Sequence, residues 1–456
     1  MSRVLIATNE VIGPRMAGPA IRCLELGRQL QSAGHRVTLL GAAGTGLDSV
    51  GLEILPGPRP AEISALAHKQ DAVVVQGLAL RLHPELRDPD VPLVVDLYDP
   101  FPLALLEQER QRSMADRWAL STDIAGIARD LLAAGDFFIC ASERQRDLWL
   151  GALMASGRVN PATWTADDSL RQLLDVVPFG LPEGKPEPDP SAPPPWPPGI
   201  AADDLVLLWA GGIYNWFDPL TLIRAVAMVG PQYPRLKLLF MATGHPNPGV
   251  PPRMWMPRRA TELAKELGIL GKHVFFNREW IPYETRGDWL GRASCGVSTH
   301  FDHAETRFSF RTRVLDYLWA GLPVIATRGD VLADLIESRD LGWTVPAGDV
   351  ELLAKALTQL AGASPDARQE ISRRVRVVAA QMTWTIAAQP LLRFCALPRP
   401  AADLPGTKTI AAPMPSGRLL RGGPRLARRG LQSLRQSGVR ATLASAQRWW
   451  RHRRSG

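Results

Sequence analysis

The chain has 456 residues, 46% of them hydrophobic, enough for a large core and, at ordinary domain sizes, for two or three domains. No run of about eighteen uncharged apolar residues occurs, so no transmembrane helix is expected. The formal charge of +8 is unevenly placed: from Arg418 onward there are eleven arginines and no acidic residue, and the rest carries 42 basic against 45 acidic residues, so the folded body gives no reason to expect a nucleic-acid partner.

Met1-Ser-Arg-Val-Leu-Ile-Ala-Thr8 runs directly into a strand-like segment without the apolar core of a signal peptide. Cys23, Cys140, Cys295 and Cys395 are widely spaced in apolar surroundings, which fits reduced core thiols and a cytoplasmic location.

In chain order, apolar β-rich runs fall at Val4–Ala7, Val37–Leu40, Ala72–Val75, Leu93–Leu97, Phe137–Cys140 and Val176–Phe179, with helical periodicity between most of them, notably Ile21–Ala33 and Glu143–Leu153. Buried strands alternating with helices predict a parallel sheet covered on both faces, whose ligand lies beyond the carboxyl ends of the strands. At that end, Asp96 and Asp99 either cap the following helix or serve as acceptor-side or catalytic carboxylates. The only Asp-X-Asp, Asp88-Pro-Asp90, lies in a proline-containing loop and makes no convincing metal site, so metal-independent chemistry is expected.

The proline-rich stretch 182–199 sustains neither helix nor interior strand and reads as a linker. A second alternating series follows: strands Leu205–Trp209, Leu236–Met241, Val274–Phe276, Ser294–Ser298 and Val324–Ala326, with helices from Pro219, around Arg259–Leu267, near Val350–Leu360 and across Ala367–Gln381. After the first of these strands, Gly211 and Gly212 form a turn that allows close backbone approach to a phosphate, and Asp218 can cap the next helix. His245 and His300 are cleft candidates, each equally readable as structural.

Residues 305–327 concentrate the charge. A helix starting near Phe310 and ending at Gly321 would place Arg307 and Arg311 at its N-terminal end, with Arg313 close by; that combination of guanidinium forks and free amides suits a bulky anion, although a solvated helix face is the plainer alternative.

Ala33-Gly34-His35 with Val37, the loop Met16-Ala-Gly-Pro19, Val177-Pro-Phe-Gly180 and Ala320-Gly-Leu-Pro-Val324 together resemble GT-B glycosyltransferases of the family 4-like group, over about residues 3–395. The resemblance implies an α/β chain of GT-B architecture: two doubly wound Rossmann-like domains facing a central cleft, with a basic C-terminal tail. The expected division is an acceptor-side domain at 1–181, the linker at 182–199, a donor-binding domain at 200–398 whose late helix near Trp384 crosses back, and a basic amphipathic tail at 399–456.

The resemblance further implies a sugar moved from a nucleotide-sugar donor to a glycan or lipid-linked acceptor, as in cell-envelope or surface polysaccharide assembly, with retention, the leaving phosphate taking the acceptor's proton, and no cofactor or metal. By it, the backbone at Gly18 approaches the donor phosphate and Asp316 receives the ribose hydroxyls, with Gly211, Gly212 and Asp218 counted among the donor-binding residues. Two departures stand out: the family's paired glutamates fall here on Phe308 and Asp316, leaving Glu305 to replace the first, and its diphosphate-holding arginine and lysine fall on Gly212 and Phe217, leaving Arg307, Arg311 and Arg313 to supply that charge. An epimerase or phosphorylase on the same fold, and a non-catalytic nucleotide-sugar binder, remain alternatives.

In the tail, Val439, Leu443, Ala446 and Trp450 share a helical face flanked by Arg440, Arg448, Arg451 and Arg454, an interfacial pattern suited to an anionic membrane surface and to a peripheral position on the inner face of the plasma membrane.

Overall fold

The computed structural model describes residues 1–41, 52–56, 59–88, 90–243 and 254–404. Residues 405–456 of the expected tail, on which the membrane expectation rests, His245, and Pro89 of the Asp-X-Asp loop lie outside them.

The first half builds a seven-stranded parallel sheet from β1 (Arg3–Ala7), β2 (Arg36–Gly41), β3 (Glu53–Pro56), β4 (Ala72–Gln76), β5 (Leu93–Asp96), β6 (Phe137–Cys140) and β7 (Leu174–Val176), in the order β3-β2-β1-β4-β5-β6-β7. The second half builds a six-stranded parallel sheet from β8 (Leu205–Trp209), β9 (Leu236–Phe240), β10 (Val274–Phe276), β11 (Cys295–Ser298), β12 (Val324–Thr327) and β13 (Gly342–Val345), in the order β10-β9-β8-β11-β12-β13. In each sheet the order reverses beside the first strand, so the loops after β1 and β8 sit at the switch points where doubly wound sheets bind ligands. The central strands are buried end to end, which is why they read as unbroken apolar runs rather than alternating ones.

Several segments differ from the sequence expectation. The edge strands β3 and β13 were not anticipated, because a four-residue half-exposed edge lacks the apolar run of an interior strand. Helix Met114–Ala134 is also unanticipated: it buries only Ile127, Leu131, Leu132 and Ala134, so most of its length has no apolar stripe. The last strand of the first sheet is Leu174–Val176 rather than Val176–Phe179. Val177–Gly180 leaves the sheet and carries Phe179 to the boundary between the halves, against Tyr98, Phe310 and Trp384 at centroid distances of 5.5, 6.2 and 5.9 Å.

The helix expected from near Phe310 runs Thr312–Trp319, and a separate short helix, Ala304–Phe308, precedes it, with extended backbone at Ser309 between the two pieces. The cause is local competition: the Ser309 hydroxyl and the Arg311 guanidinium both fold back onto Glu305, so the backbone between them leaves the helical region. The second piece ends where expected, with Gly321 at φ 69°.

The chain returns to the first half through its last helices. Leu181 and Thr383 form a parallel bridge, the Trp384 amide donates to the Leu181 carbonyl at 3.0 Å, and Phe394 stacks on Phe137 at 4.8 Å. A Cβ on Gly180 would stand 2.4 Å from the Trp384 backbone, so this crossing requires glycine there. The four cysteines are free and buried.

Candidate functional site

Two helices begin face to face between the sheets. Helix Gly18–Ser32 starts just after the β1 loop with Ala17 as an N-cap lacking any side-chain hydrogen bond, and Pro19 fills its second position; helix Thr312–Trp319 starts after Arg311, also without a side-chain cap, and neither has an acidic residue in its first turn. A Cβ built on Gly18 lies 3.7 Å from the Thr312 hydroxyl oxygen, so the two N-termini nearly touch. The first turns of two helices, with the positive ends of their dipoles, converge there, which favours an anion.

The floor is set by β8 and the loop that follows. Gly211 takes φ 79°, a conformation only glycine adopts without cost, and turns the chain so that the Gly212 carbonyl accepts from Trp209 Nε1 at 3.3 Å and from Arg313 Nη2 at 2.9 Å. Arg313 is 8% exposed and lies between the rings of Trp209 and Phe217, at 4.2 and 4.0 Å. Its Nη1 has no hydrogen-bond partner, and no carboxylate stands within ion-pair distance among the described residues. Burial lowers it to about 10. The Ser298 hydroxyl at the end of β11 is likewise buried and without a partner among the described residues; it shares a strand face with Gly296, whose added Cβ would meet the Tyr317 ring at 2.1 Å. Tyr317 ties this floor together, accepting from the Ala210 amide at 2.9 Å and donating to the Val297 carbonyl at 2.8 Å.

Arg311 does not extend toward the helix ends as expected. It is 5% exposed and forms a two-pronged pair with Glu305, at 3.1 and 2.7 Å, beside the Phe217 ring. Glu305, expected as a catalytic carboxylate, is spent on that pair and on the Ser309 hydroxyl. Arg307 is exposed in the last turn of the short helix, so it is not at the N-terminal end of the Thr312 helix. Asp218, expected among the donor-binding residues, caps helix Pro219–Val229 through the Thr221 amide at 3.0 Å and hydroxyl at 2.6 Å, which leaves it structural. Asp316 meets Arg286 at 3.2 Å and keeps 34% of its side chain exposed; burial raises its carboxyl against the pull of Arg286, which itself stacks on Tyr283 and Trp319.

The two aspartates of the first half part ways. Asp96 is closed into an ion pair with Arg22, at 2.7 and 3.0 Å, with Gln76 adding a third contact, and both side chains are almost wholly buried, so Asp96 anchors the Gly18 helix instead of facing a ligand. Asp99 is half-buried, and burial with the nearby charge of Glu305 raises it to about 7, Arg311 opposing. It is the carboxylate of the pair that faces the second half. His300 is likewise structural: it is buried, with Nε2 3.1 Å from Asp330.

Three groups were missed. Glu10, after β1, is half-buried and raised by burial, and its charge is felt by Tyr98 and by Tyr214 of the opposite half. Glu107 of helix Phe101–Gln108 and His303 of the second half meet across the same boundary, 4.0 Å apart. A position beyond a carboxyl-terminal strand end could have drawn attention to Glu10; nothing in the sequence pairs Glu107 with His303.

Residues 204–362 match the family Glycosyl transferases group 1. A D-inositol 3-phosphate glycosyltransferase of Saccharomonospora viridis is 31% identical over 198 residues, 42% of this chain, and the match spans 43% of that relative's length. Among solved structures, WaaG, a glycosyltransferase involved in lipopolysaccharide biosynthesis, superposes with a TM-score of 0.60 at 15% identity, covering 86% of this chain and 99% of that one. Sucrose-phosphate synthase from Thermosynechococcus elongatus gives 0.59 at 16%, over 86% and 98%. Anabaena HepE in complex with UDP-glucose gives 0.59 at 16%, over 87% and 100%. This chain thus has the GT-B fold, and its residues 204–362 match the group 1 glycosyltransferase family over that stretch.

Proposed function

We infer that the chain is a glycosyltransferase that moves a sugar from a nucleoside-diphosphate sugar to a hydroxyl of a glycan or lipid-linked acceptor, with retention and in cell-envelope or surface polysaccharide assembly. The observation that carries this is the convergence of two helix N-termini without side-chain caps, at Gly18 and Thr312, beside a buried arginine, Arg313, that has no anionic partner among the described residues. A diphosphate supplies that partner, since a buried cation is costly until it is neutralised. Similar folds bound to UDP and UDP-glucose support a uridine diphosphate donor, and the partial match to an inositol-phosphate glycosyltransferase supports transfer to a sugar-like alcohol.

In this reading Gly211 and Gly212 let the backbone come close to the phosphates, Arg313 and the helix-end amides stabilise the departing diphosphate, and Asp316, still partly exposed, accepts from the donor ribose. Asp99 faces the acceptor, and the leaving phosphate oxygen takes the acceptor's proton as the new glycosidic bond forms, so no dedicated protein base is required. The test is calorimetric titration with UDP, GDP and dTDP, followed by transfer from the matching radiolabelled nucleotide-sugar into total lipid and glycan fractions. Binding of none of the three nucleotides would reject the reading; binding with sugar released only to water in the presence of those acceptors would reject transfer.

A further inference from the structure

His303 precedes the short helix Ala304–Phe308 and caps it: the Thr306 amide, which can only donate, points at His303 Nδ1 from 3.3 Å. Nδ1 is therefore the acceptor nitrogen of the neutral ring, and the proton resides on Nε2. That Nε2 is buried, on a side chain only 13% exposed, and has no hydrogen-bond partner among the described residues. A buried ring N–H without an acceptor is costly unless a ligand or solvent oxygen meets it. Facing it from the other half is Glu107, whose Oε2 stands 4.0 Å away, too far for a hydrogen bond and close enough for one oxygen atom to touch both groups. Apart from His303, the one ion partner of Glu107 among the described residues is Arg110, held loosely at 3.6 Å and on the exposed side.

We propose that His303 and Glu107 form a subsite for one hydroxyl group of the acceptor sugar, the hydroxyl oxygen accepting from His303 Nε2–H while its proton is donated to the Glu107 carboxylate. This rests on the glycosyltransferase reading and narrows it, naming the acceptor group held and the two residues, one from each half, that hold it. The donor-then-acceptor sequence matches a hydroxyl and little else. An ammonium would present a donor to the imidazole N–H, and a phosphate oxygen would be repelled by the Glu107 carboxylate. The ring stays neutral in this setting: burial lowers His303 first of all, and Arg311 and His300 add to that while Glu107 and Glu305 oppose it. Because the two groups come from opposite halves, the hydroxyl bridges them.

The probe is a set of neutral methyl glycosides (methyl α-D-glucoside, methyl α-D-mannoside and methyl α-D-galactoside) added to the full chain carrying isotope-labelled histidine, with and without UDP. The His303 resonance is assigned by its loss in His303→Asn. The expected result is an Nε2–H tautomer and a saturable shift with at least one glycoside, its apparent affinity falling about five- to twentyfold in Glu107→Ala. An Nδ1–H tautomer, no shift with any of the three, or equal affinity in Glu107→Ala overturns the subsite and assigns the His303 N–H to solvent only. UDP binding, read separately by calorimetry, decides the donor reading, so failure of one is not mistaken for failure of the other.

Discussion

Arg311 Nη2 sits 2.7 Å from Glu305 Oε2, and Nη1 3.1 Å from Oε1, in a two-pronged pair whose side chains are 5% and 4% exposed. Sequence spacing suggests that Arg311 can be removed with more loss of donor binding than of stability; the buried pair reverses that expectation. Removing one partner leaves a charge buried without compensation, and Arg311→Ala is expected to cost about 3–5 kcal/mol of folding stability. Urea denaturation checks this, and a midpoint within error of the parent would show that the pair is not closed in solution.

Arg313 is the contrasting case, a buried guanidinium with no carboxylate partner among the described residues. Arg313→Met keeps the stacking volume between Trp209 and Phe217 and removes the charge, so stability is expected to hold within about 1 kcal/mol or to rise. UDP affinity is expected to fall about ten- to a hundredfold, the loss of a charge-assisted phosphate contact. Calorimetry with UDP reads both the constant and its salt dependence. Unchanged affinity would remove Arg313 from the donor site.

Tyr317 holds the Gly211–Gly212 turn to β11 through one hydroxyl that both accepts and donates. Tyr317→Phe leaves a buried amide and a buried carbonyl without that partner and is expected to cost about 1–3 kcal/mol, with a higher KM for the nucleotide-sugar because the turn is no longer fixed. Thermal denaturation together with donor kinetics tests the coupling; a stability loss with unchanged donor KM would separate the turn from the site.

Asp99, raised to about 7 from an ordinary 3.8, makes stability depend on pH with a definite sign. Between about pH 4 and 7 the folded chain holds a proton that the unfolded chain has released, so stability falls as pH rises through that window and levels off above it. Asp99→Asn removes this slope. The variant is therefore expected to gain on the parent at pH 8 relative to pH 5 in urea midpoints, and parallel profiles for the two proteins would contradict the shifted carboxyl.

Much of the fold was legible because a parallel sheet buried on both faces writes itself as short apolar runs at regular intervals. Val4–Ala7, Ala72–Val75 and Val324–Ala326 each lie within a strand of the structure, and the glycines at Gly211 and Gly321 mark turns whose positive φ only that residue takes easily. The edges β3 and β13 and the long exposed helix Met114–Ala134 were not legible, since they bury too little to leave a pattern.

The sequence by itself determined that arginines, carboxylates and a helix start lie side by side at residues 305–316, a combination that suits an anion. Only the tertiary structure decided which charge is free. Glu305 closes on Arg311 and Arg22 on Asp96, while Arg313 is left without an anion and Asp99 without a cation within ion-pair reach among the described residues. The reason is distance: the energy of a buried charge turns on partners a few ångströms away, and for Asp96 that partner is 74 residues distant in the chain.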